Sequence, residues 1–418
     1  MRVTTKVGVG GLSPRALDET ARCSSSALSS LADWQEEARP ATFPFRPIVR
    51  HYQAVGRGHV DAELVKALRV LAEQGRPRGG RGGRAADGLI LSSWLPCTFD
   101  QEDGDYDSYG AIRLLHRVAE TAAGGPDTGL DLQQVALLAD LLAFEAVAAA
   151  GQERRSPQEV RLRACLRALA RAGELAPGAA GVTARFPPAP AADRAGELAL
   201  LALDAVPPAV RLAAEITLLP MTPLHDEVMF IRSIQVFELV YRQVARCLER
   251  AVAALAGGDA AAATAEVRDA GARVAATGSL YRVLTTMPKE SFALIRSSTD
   301  GRSAIQSRAY REVERLSAPL PTEQLPMELL RLDERPRPGR SLQEEYLAAG
   351  AGPPLDGLAA AMAGLDEAWQ AMKRTHWGIT LKIIGRVPGT GGSSGADYLR
   401  EAAERPLFPA LSPGGRHA

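Results

Sequence analysis

Between Met362 and Ile383, the positions Met362, Leu365, Trp369, Met372, His376, Ile379 and Ile383 follow one another in alternating steps of three and four. That period lines all seven side chains along one face of a helix and along no face of a strand. Alanine, leucine, arginine and glutamate dominate elsewhere, and β-branched runs are scarce. Helices are therefore expected throughout, in an all-α fold. The pattern predicts them over Val60–Gly75, from near Tyr106, and over Leu130–Ala149, Pro157–Ala170, Asp226–Ala256, Ala260–Ala276, Gln306–Leu316 and Pro354–Gly385. Residues 1 to about 58, with the Pro-rich "RPATFPFRPIV", are expected to be irregular. The Pro/Ala stretch "GVTARFPPAPAAD" is expected to be a loop.

Charge excludes several classes of partner. Lys+Arg and Asp+Glu number 49 each, so no global field draws the chain to nucleic acid or an acidic membrane. "RPRGGRGGR" (Arg76 to Arg84) has the look of an RGG tract, but a single copy in a neutral chain reads as a flexible linker. Cys23, Cys97, Cys165 and Cys247 lie far apart with no CxxC pair, as free thiols in a reducing compartment would. The N-terminus has no apolar signal core, and no run approaches the ~18 uninterrupted apolar residues of a membrane span. The expectation is a cytoplasmic protein.

The stripe points His376 inward. It is then either a core histidine held by one hydrogen bond or an axial metal ligand. No second histidine, cysteine or carboxylate cluster stands nearby at zinc spacing, whereas a haem needs one protein ligand and an apolar slot. "GTGGSSG" follows, from Gly389 to Gly395. It matches neither the Walker pattern nor G-x-G-x-x-G. Its free backbone and its hydroxyls at Thr390, Ser393 and Ser394 suit either a hinge or a loop that wraps a small zwitterion.

Four segments resemble the tryptophan 2,3-dioxygenase family. "HDEVMFIRSIQVFELVYRQV" (His225 to Val244) is similar to its distal helix. "SFALIRSSTDGRSAIQSRAYREVE" is similar to its Tyr-x-x-x-Arg element with the following Gln-Ser-x-Gln-Tyr-Arg. "HWGITLKIIGRVPGTGGSSGADYLR" resembles its proximal helix and glycine loop, and "YDSYGAIRLL" more faintly resembles its N-terminal tyrosine segment. The resemblance implies a helical haem-dioxygenase domain over residues 96–418, an insertion at about 117–215, and an extension over residues 1–95. It implies haem b held through iron by His376, with Arg296 gripping a substrate carboxylate. Thr390, flanked by Gly389 and Gly391, would meet the amino-acid head group. Phe230 would line the indole pocket, and Ser303 and Ala304 would lie at the distal edge of the haem. Tyr106 and Tyr109 would correspond to aromatics that in the family reach a neighbouring subunit's site, in a homo-oligomer. O2 and an aromatic amino acid or indole are the implied small-molecule partners, with neither nucleic acid nor membrane.

Two departures stand out. Ile234 occupies the position of the family's distal histidine and offers no proton acceptor. Phe292 replaces the tyrosine four residues before Arg296. Arg232 is read as a solvated face, or else as a replacement anion contact. His225 suits a helix start, and His51, His59, His116 and His417 suit the surface or ordinary packing. The expected activity is dioxygenation of the indole C2=C3 bond of tryptophan or a derivative, giving an N-formylkynurenine-type product. The alternatives are haem-dependent monooxygenation of a modified indole or other aromatic amino acid, or haem binding without turnover.

Overall fold

The computed structural model describes residues 14–37, 39–74, 86–99, 106–152, 156–186, 192–299, 306–319, 339–350, 352–385 and 395–411. Eighteen α-helices occupy them. They begin with α1 (Pro14–Glu37), α2 (Phe45–Val55), α3 (Ala62–Gln74), α4 (Ala86–Trp94), α5 (Tyr106–Tyr109) and α6 (Ile112–Glu120). Next come α7 (Pro126–Ala149), α8 (Pro157–Glu174), α9 (Ala180–Thr183), α10 (Ala195–Ala205), α11 (Pro208–Ile216) and α12 (His225–Ala256). The chain continues with α13 (Ala260–Leu284), α14 (Lys289–Ser298), α15 (Arg308–Ser317), α16 (Leu342–Ala349), α17 (Pro353–Ile383) and α18 (Ala396–Glu404). The fold is all-α, as the hydrophobic period predicts.

Long helices set the frame. α13 packs along both α12 and α17, and α15 lies against α12. α7 crosses this frame, meeting α12 on one side and α6, α8, α10 and α11 on others. One large apolar cluster runs from Ala27 and Leu31 of α1 to Phe408 near the C-terminus, and a smaller one gathers Tyr109, Leu218, Met221, Val228 and Ile231. Local chemistry sets the helix starts. Pro126 opens α7 after Gly125, and the Ser156 hydroxyl accepts the Glu159 N–H at the head of α8. Ser341 and Glu344 form a reciprocal capping box on α16.

The structure corrects two expectations and qualifies a third. The first 58 residues are not irregular where described, because α1 and α2 are helices. Pro47 is tolerated within the first turn of α2, where its missing N–H has no helical partner. Aromatic packing holds the segment, with Phe43 at 5.0 Å from Trp34 and 4.7 Å from Phe45, and Phe45 at 5.1 Å from Trp94. Second, α7 is long and apolar enough to cross a membrane by length and composition. Its acidic residues hide it from a search for uninterrupted apolar runs, and most of it is buried inside the fold. Third, α13 continues past Ala276 to Leu284, since Thr277, Leu280 and Tyr281 are buried and packing outweighs the local cost of Gly278. The tract Arg76–Arg84 lies outside the described residues.

Candidate active site

α12 supplies one wall of the site. Glu227, Phe230, Ile234 and Glu238 follow in steps of three, four and four and therefore share a stripe of that helix. α17 supplies another through Met372, His376, Ile379 and Ile383. With α14 and the α5 turn they enclose a cavity of about 300 Å³, which Tyr106, Tyr109, Phe292 and Arg296 also line. A second cavity of about 330 Å³ shares Phe292, Arg296, Ile383 and Ile384, so Arg296 stands at the boundary between the two.

Seven residues singled out in the sequence thus come together: His376, Arg296, Phe230, Phe292, Ile234, Tyr106 and Tyr109. Ser303, Ala304, Gly389, Thr390 and Gly391 lie outside the described residues. Phe230 and Phe292 meet edge to face at 5.6 Å, which closes the apolar side of the cavity.

His376 makes no hydrogen bond to another described residue; its nearest ring is Tyr281, at 6.1 Å between centroids. Burial alone pushes its pKa down to about 4, so the imidazole is neutral at physiological pH with a nitrogen lone pair to give. A core histidine held by a hydrogen bond is therefore not what the described surroundings provide.

Four tyrosines of the wall already have partners. Tyr106 donates to Glu238 at 2.9 Å, Tyr109 donates to Glu227 at 3.0 Å, and Tyr241 and Tyr281 bond to each other. Burial lifts the Glu238 carboxyl to about 7, against the opposing hydrogen bonds from Ser307 and Tyr106. Around Ile234 the described wall is thus apolar or already bonded.

Charged residues line the cavity as well. Arg296, Arg311, Lys373 and Arg405 line the cavity with Glu314 as the one carboxylate among the described lining residues. Burial lowers the Lys373 pKa to about 8, and its ammonium donates to the Arg405 carbonyl at 2.6 Å. Arg311 donates to the Tyr398 hydroxyl at 3.0 Å.

These features fit a haem. A neutral imidazole faces an apolar, aromatic cavity, and a cationic margin complements a porphyrin that carries two carboxylates. Sequence reasoning left out Glu238, Tyr241, Tyr281, Tyr310, Arg311 and Lys373. Glu238, Tyr241, Tyr310 and Arg311 lie inside the segments already quoted, next to residues that were chosen.

Arg232 requires a correction. It is neither solvated nor a lining residue of either cavity, being only 1 % exposed. Its guanidinium meets Asp140 of α7 at 2.6 Å, Gln235 at 2.7 Å and the Ala214 carbonyl at 2.5 Å. Those contacts satisfy a buried cation and leave no fork for a ligand. His225 starts α12 as expected, stacked on Phe144 at 4.3 Å and bonded to Glu145 at 3.1 Å.

No family model matches the chain. Among curated proteins it is similar to the tryptophan 2,3-dioxygenase of Anaeromyxobacter dehalogenans (strain 2CP-C). The two are 30% identical over 238 aligned residues, covering 46% of this chain and 87% of the relative. It is 29% identical over 231 residues to the enzyme of that name from Anaeromyxobacter sp. (strain K), with the same two coverages. The Herpetosiphon aurantiacus tryptophan 2,3-dioxygenase is 28% identical over 228 residues, 45% of this chain and 87% of its own length.

Proposed function

Because the chain belongs to the tryptophan 2,3-dioxygenase family, we propose that it is a haem-dependent dioxygenase of tryptophan or a tryptophan derivative. The observation that carries this reading is the neutral His376 imidazole, with no hydrogen bond to a described residue, on the wall of an aromatic cavity that Arg296 also lines. When bound through His376, haem b supplies a ferrous iron at which O2 is activated. Oxygen adds across the indole C2=C3 bond, that bond breaks, and both oxygen atoms end as carbonyl groups of an N-formylkynurenine-type product. No external reductant is consumed.

The side chains of this chain orient the substrate. Arg296 pairs its planar fork with the substrate carboxylate. Phe230, Phe292 and Ile234 hold the ring on the apolar wall, so binding energy is used to fix the reacting bond in place. Thr390, between Gly389 and Gly391, meets the head group, and Ser303 and Ala304 border the oxygen side. No side chain need abstract the ring proton, which is consistent with isoleucine at 234.

In this reading residues 96–418 form the oxygenase unit with 117–215 as an insertion, and residues 1–95 buttress it. The four cysteines are all free thiols, in keeping with the cytoplasm, to which we assign it. The test is the absorption spectrum of haem-supplied protein beside His376→Ala, followed by turnover of L-tryptophan in labelled O2. A Soret band lost or shifted in the variant, with two labelled atoms per product, is the expected result. Identical spectra would remove the ligand, and a single labelled atom would make the enzyme a monooxygenase.

A further inference from the structure

Arg57 belongs to the N-terminal region, outside the segments that resemble the family, and it is completely buried. It does not line the cavity; it holds the backbone of residues that do. Its three guanidinium nitrogens donate to three carbonyls: Nε to Leu219, one terminal nitrogen to Ser108 at 3.3 Å, and the other to Tyr109 at 3.0 Å. Its own N–H donates to the Pro220 carbonyl at 2.8 Å, and its guanidinium carbon lies 5.7 Å from the centre of the Tyr109 ring. Gly56 makes this approach possible. Its φ is +75°, and a β-carbon there would run into the Met221 carbonyl.

The same few residues close a ring of contacts. Met221 and Thr222 donate their N–H groups to Glu227 at 2.8 and 2.7 Å, and Glu227 accepts the Tyr109 hydroxyl. The Tyr109 carbonyl then returns to Arg57. On the far side, Gln235 donates to the Gly110 carbonyl at 3.0 Å, and Ala111 sits in the left-handed region at φ 52°. Such a backbone conformation persists in a non-glycine residue only where its surroundings over-determine it.

We propose that Arg57 is a positioning residue for the active site. It locks the Tyr106–Ala111 turn so that Tyr106 and Tyr109 form part of the cavity wall of their own chain, and this is what the N-terminal region contributes to function. Lysine does not replace it, because a single ammonium lacks the planar fork that spans the three carbonyls. The inference rests on the proposed reading only in taking this cavity as the site.

Hydrogen–deuterium exchange on the full-length protein separates the two. In Arg57→Met, Arg57→Lys and Gly56→Ala, amides between residues 106 and 115 should exchange about tenfold faster or more, while α7 and α13 keep their protection. With active enzyme, the same variants should raise KM for the indole substrate several-fold and leave kcat and the Soret band unchanged. Unaltered exchange in residues 106–115, or an equal rise across all helices, would overturn the proposal. A protein without turnover would still show the exchange effect, and then only the dioxygenase reading would fall.

Discussion

The hydroxyl of Tyr106 donates to the Glu238 carboxylate at 2.9 Å, which ties a cavity-lining ring to a carboxyl that is 2 % exposed. The Ser307 hydroxyl is a second donor to that carboxyl, while its oxygen accepts the Tyr310 N–H at 3.1 Å. One acidic group thus joins α5, α12 and the start of α15.

That carboxyl makes stability depend on pH. Its pKa is pushed up to about 7 by burial, with Asp107 adding to the rise. Between the ordinary carboxyl value and about 7 the folded protein therefore holds a proton that the unfolded chain releases. Stability falls as pH rises through that window and levels off above it, by up to about 3 kcal/mol from this group. Glu238→Gln still accepts from Tyr106 and cannot ionise, so urea denaturation across the window should lose this slope.

His376 acts in the opposite sense. With a folded pKa of about 4, it stays neutral where the unfolded imidazole is protonated. In haem-free protein this term makes stability rise with pH from about 4 to about 6.5. His376→Phe should remove that slope together with haem ligation. Thermal melts of the two haem-free proteins at matched pH values measure it.

Arg296→Ala should separate substrates by their carboxylate. Loss of a charge-assisted contact of about 1.5–3 kcal/mol raises KM for amino-acid substrates tenfold or more. Decarboxylated indoles such as tryptamine should change little. An equal loss for both would mean that Arg296 shapes the cavity and does not bind the acid.

Ile234→His introduces an acceptor where the described wall has none to spare. It should tighten binding of indoles with a free ring N–H about fivefold, equivalent to ~1 kcal/mol. N-methylated analogues should gain nothing. The ratio of dissociation constants for the two substrates reads the effect directly.

Arg232→Met tests the link between α7 and the cavity-bearing α12. Removing one partner of the buried pair with Asp140 strands the Gln235 and Ala214 acceptors as well. The expected loss is about 3 kcal/mol or more in unfolding free energy. A variant as stable as the parent would show the pair to be dispensable.

Most of the fold was readable from period and punctuation. The stripe from Met362 to Ile383 corresponds to α17, and proline marks the starts of α7 and α8, with Ser156 capping α8. What escaped was structure that depends on partners distant in sequence. α1 and α2 are weak helices locally and exist because Phe43, Phe45 and Trp94 pack together. Arg232 looks solvated in a helical wheel, since nothing nearby in sequence announces Asp140, which lies 92 residues away.

The site divides in the same way. His376 is legible from the helical stripe, whereas Arg296 and Phe230 are legible only through the resemblance of their segments to the family. Arg57 has no such signal, because its partners at Ser108, Tyr109 and Leu219 are main-chain carbonyls that any residue would supply. Tyr106 and Tyr109, which the resemblance relates to aromatics of a subunit boundary, line the same cavity as His376 in this chain.

The order of synthesis bears on α7. Its acidic residues Asp127, Asp131, Asp140 and Glu145 pair with Arg246 and Arg250, Arg273, Arg232, and Arg161 with His225. All of these partners follow it in the chain, and Arg273 emerges 142 residues after Asp131. Glu145 can meet Arg161 as soon as α8 is made, whereas the cationic partners of Asp127, Asp131 and Asp140 arrive only with α12 and α13. Burial of this greasy helix is thus matched to charges that the chain supplies only later, a constraint on the order in which its halves can assemble.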